Sequence, residues 1–245
     1  MMFKDLIKLD RLPTSWCPGC GLGQIMIQLA MVMDERDLNY TNSTVISGVG
    51  CTGRIAGYMN VDGVYTLHGR TLPVAEAVKL VNPDLNVIVV SGDGDLASIG
   101  GNHLLHATRR DPNLTVICNN NNVYGLTGGQ AGPTTPRGTK TVSTPAGSYY
   151  DTINLQNLMK CGGTYFYART TVYHQLHFRN CIKEAISWPG FAFVDVISQC
   201  IENNGRRLGF KSAYEMLQHF KKTYKRAPDG ADTLGPEEIG IVRQE

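Results

Sequence analysis

The chain has 245 residues, 42% of them apolar, with a formal net charge of +2 and seven cysteines. That is enough apolar material for a sizeable core, read as one domain over 1–245. The near-neutral balance gives no basis for a nucleic-acid partner, and no run of about 18 apolar residues suggests a membrane span. The N-terminus, Met1 to Leu6, lacks the apolar stretch of a signal peptide. The expectation is a cytoplasmic protein, where cysteines point to metal or redox chemistry before disulfides.

In chain order, residues 1–16 read as an irregular arm. Leu22 to Met33 has helical character, and Thr44–Ser47 reads as a strand running into Gly48-Val49-Gly50-Cys51. Leu72 to Val81 reads as a helix that tolerates Pro73 in its first turn. A strand ending at Ser91, a helix from about Ser98 to Arg110 and a strand ending at Cys118 follow. Tyr124 to Tyr149 is rich in Gly, Thr and Pro and long for a structureless loop, which favours a functional role. Tyr173 to Ile186 reads as a helix, Phe191 to Ile197 as a buried strand, and Ser212 to Tyr224 as a helix. The tail 226–245 is rich in Pro and Gly and is expected to wrap a surface or a partner. Short β-branched runs alternating with helical patterns predict an α/β fold, with a mostly parallel sheet and helices on both faces.

Ligands of such sheets bind at the carboxyl ends of the strands. Two polar clusters fall there: Gly92-Asp93-Gly94-Asp95 and Asn119-Asn120-Asn121-Asn122-Val123. Asp93 offers a hard carboxylate and Asn121 an amide oxygen, while the glycines admit a bulky anion. Hard oxygen donors beside a glycine turn suit Mg²⁺ carrying a diphosphate. Cys17-Pro18-Gly19-Cys20 can be a thiol–disulfide pair, half a zinc site or half an iron–sulfur site. Cys51 and Cys200 also lie at strand ends, so the four thiols suit either a [4Fe–4S] cluster or a Cys₄ zinc site. Cys118, Cys161 and Cys181 fall in apolar or helical patterns and read as core. His103 and His106 share a helix face, where packing or solvation is the expected role.

Five motifs occur in order: Trp16-Cys17-Pro18-Gly19-Cys20-Gly21, Gly48-Val49-Gly50-Cys51, Leu67-His68-Gly69-Arg70, Gly92-Asp93-Gly94-Asp95, and Asn121 through Gln130. A Gly-Asp-Gly separated by 26 residues from Asn121-Asn122 looks like the thiamine-diphosphate enzymes. The set together resembles the β subunit of 2-oxoacid:ferredoxin oxidoreductases, most closely the 2-oxoglutarate enzymes, over about residues 12 to 210.

The resemblance implies a thiamine-diphosphate-binding fold. It implies one [4Fe–4S] cluster on Cys17, Cys20, Cys51 and Cys200, and Mg²⁺ on Asp93, Asn121 and the Val123 carbonyl. Contacts to thiamine diphosphate are implied for Val49, Gly50, Cys51, Thr52, Gly94, Asp95, Gly125 and Leu126. It further implies oxidative decarboxylation of a 2-oxoacid, with coenzyme A accepting the acyl group and electrons passing to ferredoxin. The chain holds only a diphosphate-binding half, so an α subunit with the pyrimidine-binding domain is expected, in an α₂β₂ heterotetramer. Arg54 is a candidate for the distal carboxylate of 2-oxoglutarate, since a guanidinium grips a carboxylate bidentately. His68 is a candidate for hydrogen bonding to the reacting group or the diphosphate. Pyruvate or a branched-chain 2-oxoacid, a non-redox thiamine-diphosphate decarboxylase or synthase, and a non-catalytic electron carrier are the competing readings.

Overall fold

The computed structural model describes residues 2–244. Its frame is an eight-stranded sheet. The strands are β1 (Ser43–Ser47), β2 (Asp62–Tyr65), β3 (Asn86–Gly92), β4 (Leu114–Asn120), β7 (Tyr165–Thr171), β8 (Phe191–Ile197), β9 (Lys225–Arg226) and β10 (Glu238–Gln244). The order is β2-β1-β3-β4-β8-β7-β10-β9. From β2 to β7 every pairing is parallel, and β10 runs antiparallel to β7. A separate two-stranded hairpin joins β5 (Val123–Tyr124) and β6 (Gln130–Ala131).

The central strands are buried because their side chains alternate between two apolar layers. Ile88, Val90, Ile117, Phe166 and Val194 enter one core with α1 (Leu22–Glu35) and α6 (Gln175–Ser187). Val87, Val89, Val116, Tyr167 and Phe193 enter the other with α3 (Thr71–Val81), α4 (Gly101–Arg110) and α5 (Leu155–Met159). Helices therefore cover both faces, as the alternation of strand and helix patterns predicts. Pro73 sits in the first turn of α3, where backbone N–H groups have no intrahelical acceptor. The last helix, α7 (Ala213–Thr223), starts at Ser212, whose side chain accepts from Glu215 N at 3.2 Å. A short α2 (Ile55–Tyr58) follows the β1 loop.

Several elements depart from the sequence reading. The arm 1–16 holds two short 3₁₀ turns, and it docks: Leu6, Ile7 and Trp16 are buried, and Ile7 bridges Met59. Residues Asp95–Ile99 form a π turn, so α4 begins at Gly101. The tail is an integral part of the sheet, because β10 pairs along β7 from Gly240↔Arg169 to Gln244↔Tyr165 and buries Ile239 and Val242. β7 itself carries Arg169 in mid-strand. Its guanidinium is accommodated by the buried Asp195 (3.5 Å) and the Gly235 carbonyl (2.7 Å), partners far away in sequence. Cys118 and Cys181 are buried as expected, but Cys161 is exposed, because it lies in the Lys160–Gly163 turn beyond the end of α5.

Candidate active site

Since β1, β3, β4 and β8 are parallel, their carboxyl ends deliver four loops to one edge of the sheet. A cleft of about 140 Å³ opens there. Its walls come from the β1 loop (Val49, Gly50, Cys51, Thr52), His68, the β3 end (Gly92, Asp93, Gly94, Asp95) and the β4 loop (Asn121, Val123 to Thr127). All of the residues expected to contact diphosphate or Mg²⁺ meet in this one place. Gly92 joins them, as its place beside Asp93 suggested, whereas Tyr124 and Thr127 were not named as contacts. Gly94 is required by close approach, because a Cβ there would run into the Tyr124 ring.

Asp93 is 2% exposed. Burial pushes its carboxyl up to about 6, against the lowering effect of the Thr134 hydroxyl and the Gly94 N–H. Thr134 Oγ1 donates to Asp93 Oδ2 from the long loop after β6. Asn121 Oδ1 accepts from Val123 N at 3.2 Å, which folds the amide back over its own loop. A buried carboxylate that resists ionisation next to an amide oxygen and a main-chain carbonyl is a donor set that gains from a hard cation.

Asp95 has a different role. Its buried carboxylate accepts from His68 Nδ1 (2.5 Å), Gly69 N (2.7 Å), Ser91 Oγ (2.7 Å) and Val49 N (3.2 Å). It thereby ties the β1 loop and the His68 turn to the end of β3. Gly48 leaves the space for this, since a Cβ there would collide with the Asp95 carboxylate. The bond at Nδ1 leaves His68 Nε2 as the free ring nitrogen, and His68 lines the cleft.

Behind the cleft stand the four cysteines. Cys20 N donates to Cys17 O at 3.0 Å, closing the CxxC turn. Gln199 Nε2 donates to Gly19 O at 2.9 Å, and Trp16 Nε1 donates to Cys51 O at 2.8 Å, so the turn is bound to both other cysteine loops. Burial pushes the Cys20 thiol up to about 12, and Cys200, Cys51 and Cys17 add to the rise. Burial likewise raises Cys51 and Cys200, and Cys17 adds to the rise in each. Each of these thiols is thus harder to ionise in the neighbourhood of the others. Among the described residues no three His, Cys, Asp or Glu side chains converge closely enough for a single metal ion.

The cleft and the thiols are joined. Cys51 belongs to both, and a Cβ on Gly125 would lie 3.3 Å from Cys200 Sγ. The π turn after Cys200 reaches back, with Asn203 Nδ2 on Gly125 O (2.7 Å) and Asn204 Nδ2 on Asn121 O (3.0 Å). Thr134, Asn203 and Asn204 carried no motif and were missed. The only signal for Thr134 was its place in the long 124–149 loop, and for Asn203 and Asn204 their place shortly after the strand-end Cys200. Arg54 departs from its expected place. It stands outside the cleft, exposed, donating to Ser15 Oγ beside Cys51, because the 3₁₀ turn Thr52–Arg54 rotates it toward the arm. His103 and His106 lie on α4, away from the cleft lining.

Residues 48–196 match the family described as thiamine pyrophosphate enzyme, C-terminal TPP binding domain. The chain is 41% identical over 216 residues to the 2-oxoglutarate synthase subunit KorB of Methanothermobacter marburgensis, covering 88% of this chain and 76% of that protein. With the KorB of Archaeoglobus fulgidus it shares 37% identity over 244 residues, covering 99% and 89%. A solved 2-oxoglutarate:ferredoxin oxidoreductase from Magnetococcus marinus, with 2-oxoglutarate, coenzyme A and succinyl-CoA bound, superposes with a TM-score of 0.88 at 31% identity, covering 99% of this chain and 84% of the other. A strand-end cleft with a Gly-Asp-Gly turn, backed by four cysteines, thus coincides with relatives matched over most of their length, and the chain belongs to the β-subunit family of the 2-oxoacid:ferredoxin oxidoreductases, thiamine-diphosphate oxidoreductases.

Proposed function

We propose that this chain is the β subunit of an enzyme that oxidatively decarboxylates 2-oxoglutarate to its acyl-CoA and CO₂, passing electrons to ferredoxin. The observation that carries the reading is the meeting of an oxygen-donor cleft and a four-thiol set at Cys51. The choice of 2-oxoglutarate rests on the names of the relatives matched over most of their length.

In this reading Asp93, Asn121 and the Val123 carbonyl hold Mg²⁺. The β1 loop Val49 to Thr52, with Gly94, Gly125 and Leu126, receives the diphosphate. Asp95 orients His68 so that Nε2 faces the cleft, where it can hold or give a proton. Thiamine diphosphate, when bound, supplies the electron sink for loss of CO₂ from a 2-oxoacid. Cys17, Cys20, Cys51 and Cys200 hold a [4Fe–4S] cluster, which supplies one-electron transfer. The donor chemistry fits both groups: the thiols of Cys20, Cys51 and Cys200 and the Asp93 carboxylate, held above their ordinary pKa by burial, are relieved by cationic partners. At about 140 Å³ the cleft is smaller than the roughly 300–1,000 Å³ of pockets that enclose a whole ligand of this size. An α subunit covering the rest of the cofactor accounts for that, and an α₂β₂ assembly in the cytoplasm completes the proposal. No helix among the described residues is long and apolar enough to cross a membrane.

The test is an anaerobic assay of the purified α–β complex with a panel of 2-oxoacids, coenzyme A and a one-electron acceptor. Coenzyme-A-dependent reduction of the acceptor, fastest with 2-oxoglutarate, is expected. Decarboxylation without acceptor reduction would favour the non-redox alternative.

A further inference from the structure

The four thiols are not equally covered. Cys20, Cys51 and Cys200 are half-buried, whereas Cys17 is exposed together with Ser15, Pro18 and Gly19. The apex of the CxxC turn therefore forms part of the outer surface. It has little side chain to keep a partner away, since Gly19, at φ +78°, lacks a Cβ.

The surroundings of this apex are basic. Arg54 is exposed beside Cys51 and touches Ser15. On the other flank α7 starts against the turn, with Ala213 packed onto Gly19 so closely that a Cβ on Gly19 would collide with it. Lys211 lies two residues before Ala213, and Arg207 follows the π turn that leaves Cys200; both are exposed. Nearby anions are engaged locally. Glu202 pairs with Arg206 at 2.9 Å, and Glu215 accepts from the Lys211 backbone N–H at 2.7 Å. The Arg207 and Lys211 side chains make no ion pair among the described residues.

We infer that the face formed by Cys17–Gly19, Arg54, Arg207 and Lys211 is the docking surface for an acidic one-electron carrier protein. This rests on the proposed cluster on the four cysteines. Cations spread around an exposed turn match a macromolecular anion better than a small one, and complementary charge both steers and orients such an encounter. The turn that contributes Cys17 is then the shortest protein path between cluster and carrier. Oxidative decarboxylation releases two electrons per 2-oxoacid. Two carrier molecules use the surface in turn, each leaving reduced by one electron.

The test uses the anaerobic α–β complex and a purified acidic ferredoxin, with binding measured directly by calorimetry at low and high NaCl. The charge reversals Arg207→Glu and Lys211→Glu, combined, should raise the Kd on the order of tenfold. Wild-type binding should weaken steeply with salt. Iron content and reduction of methyl viologen, too small to need the surface, should remain at wild-type levels. If charge reversal lowers the iron content, the neutral pair Arg207→Gln and Lys211→Gln is judged by the same Kd criterion. A Kd within twofold of wild type in an iron-replete variant, or binding indifferent to salt, overturns the surface. A wild-type complex without iron or viologen reduction overturns the functional reading itself.

Discussion

His68 and Asp95, 27 residues apart in sequence, are joined by a 2.5 Å hydrogen bond from the imidazole Nδ1 to a carboxylate that is almost wholly buried. The same carboxylate holds the Gly69 and Val49 backbone N–H groups and the Ser91 hydroxyl. One acid thus sets both the tautomer of the histidine and the shape of the diphosphate loop. Replacing it by Asn removes the charge and exchanges one acceptor oxygen for a donor amide. Asp95→Asn is expected to cost about 1–3 kcal/mol of stability, seen as a lower urea midpoint. His68→Ala touches fewer fold contacts. It should keep its midpoint and its thiamine-diphosphate content but lose on the order of 100-fold in kcat. A His68→Ala complex with wild-type kcat would reduce the dyad to a structural clamp.

Asp93 ties stability to pH in the cofactor-free chain. Its folded pKa of about 6 lies above the ordinary 3.8. The folded state therefore holds the proton more tightly. This contribution is complete below about pH 4 and is lost as pH rises through 6, a swing on the order of 2–3 kcal/mol. Asp93→Asn should flatten that part of the stability profile, as read from urea midpoints at pH 4.5 and 7. Mg²⁺ prefers the carboxylate, so Mg²⁺ and thiamine diphosphate should stabilise wild type more at pH 7 than at pH 5. Asp93→Ala should retain neither. Wild-type cofactor content in Asp93→Ala would remove Asp93 from the metal.

The cysteines divide into two groups with separable outcomes. Ser at Cys17, Cys20, Cys51 or Cys200 should sharply lower iron and sulfide, and Ser at Cys118, Cys161 or Cys181 should not. In the metal-free chain Cys161, in its open turn, should react with iodoacetamide well before buried Cys118 and Cys181. Zinc in place of iron in the purified complex, or full iron in a Cys200→Ser complex, would contradict the assignment.

Arg54 now carries a different expectation from the one its sequence position suggests. It lies on Ser15 outside the cleft, so Arg54→Ala should lower the turnover of 2-oxoglutarate and pyruvate by similar factors. A selective loss for 2-oxoglutarate on the order of 30-fold or more, the scale of an unpaired buried carboxylate, would return Arg54 to the substrate.

What the sequence by itself determined was local. Apolar β-branched runs marked β3, β4 and β8, because strands buried on both faces are predominantly apolar. Turn chemistry at their carboxyl ends marked Asp93 and Asn121, and the CxxC marked one half of the thiol set. Strand-end positions grouped Cys51 and Cys200 with it, and the choice of an iron–sulfur cluster over zinc came through family resemblance. Tertiary structure alone decided the rest. β7 and β10 exist because Arg169 finds Asp195 and because Gly240 through Gln244 find an unpaired edge. Thr134 reaches Asp93, and Asn203 and Asn204 reach the β4 loop, only once parallel strands gather their ends. Such contacts depend on pairing between distant segments, which no local pattern encodes. Arg54 shows the same point in reverse: three residues from a cysteine in the chain, it is turned to the other side of the loop by a single 3₁₀ turn.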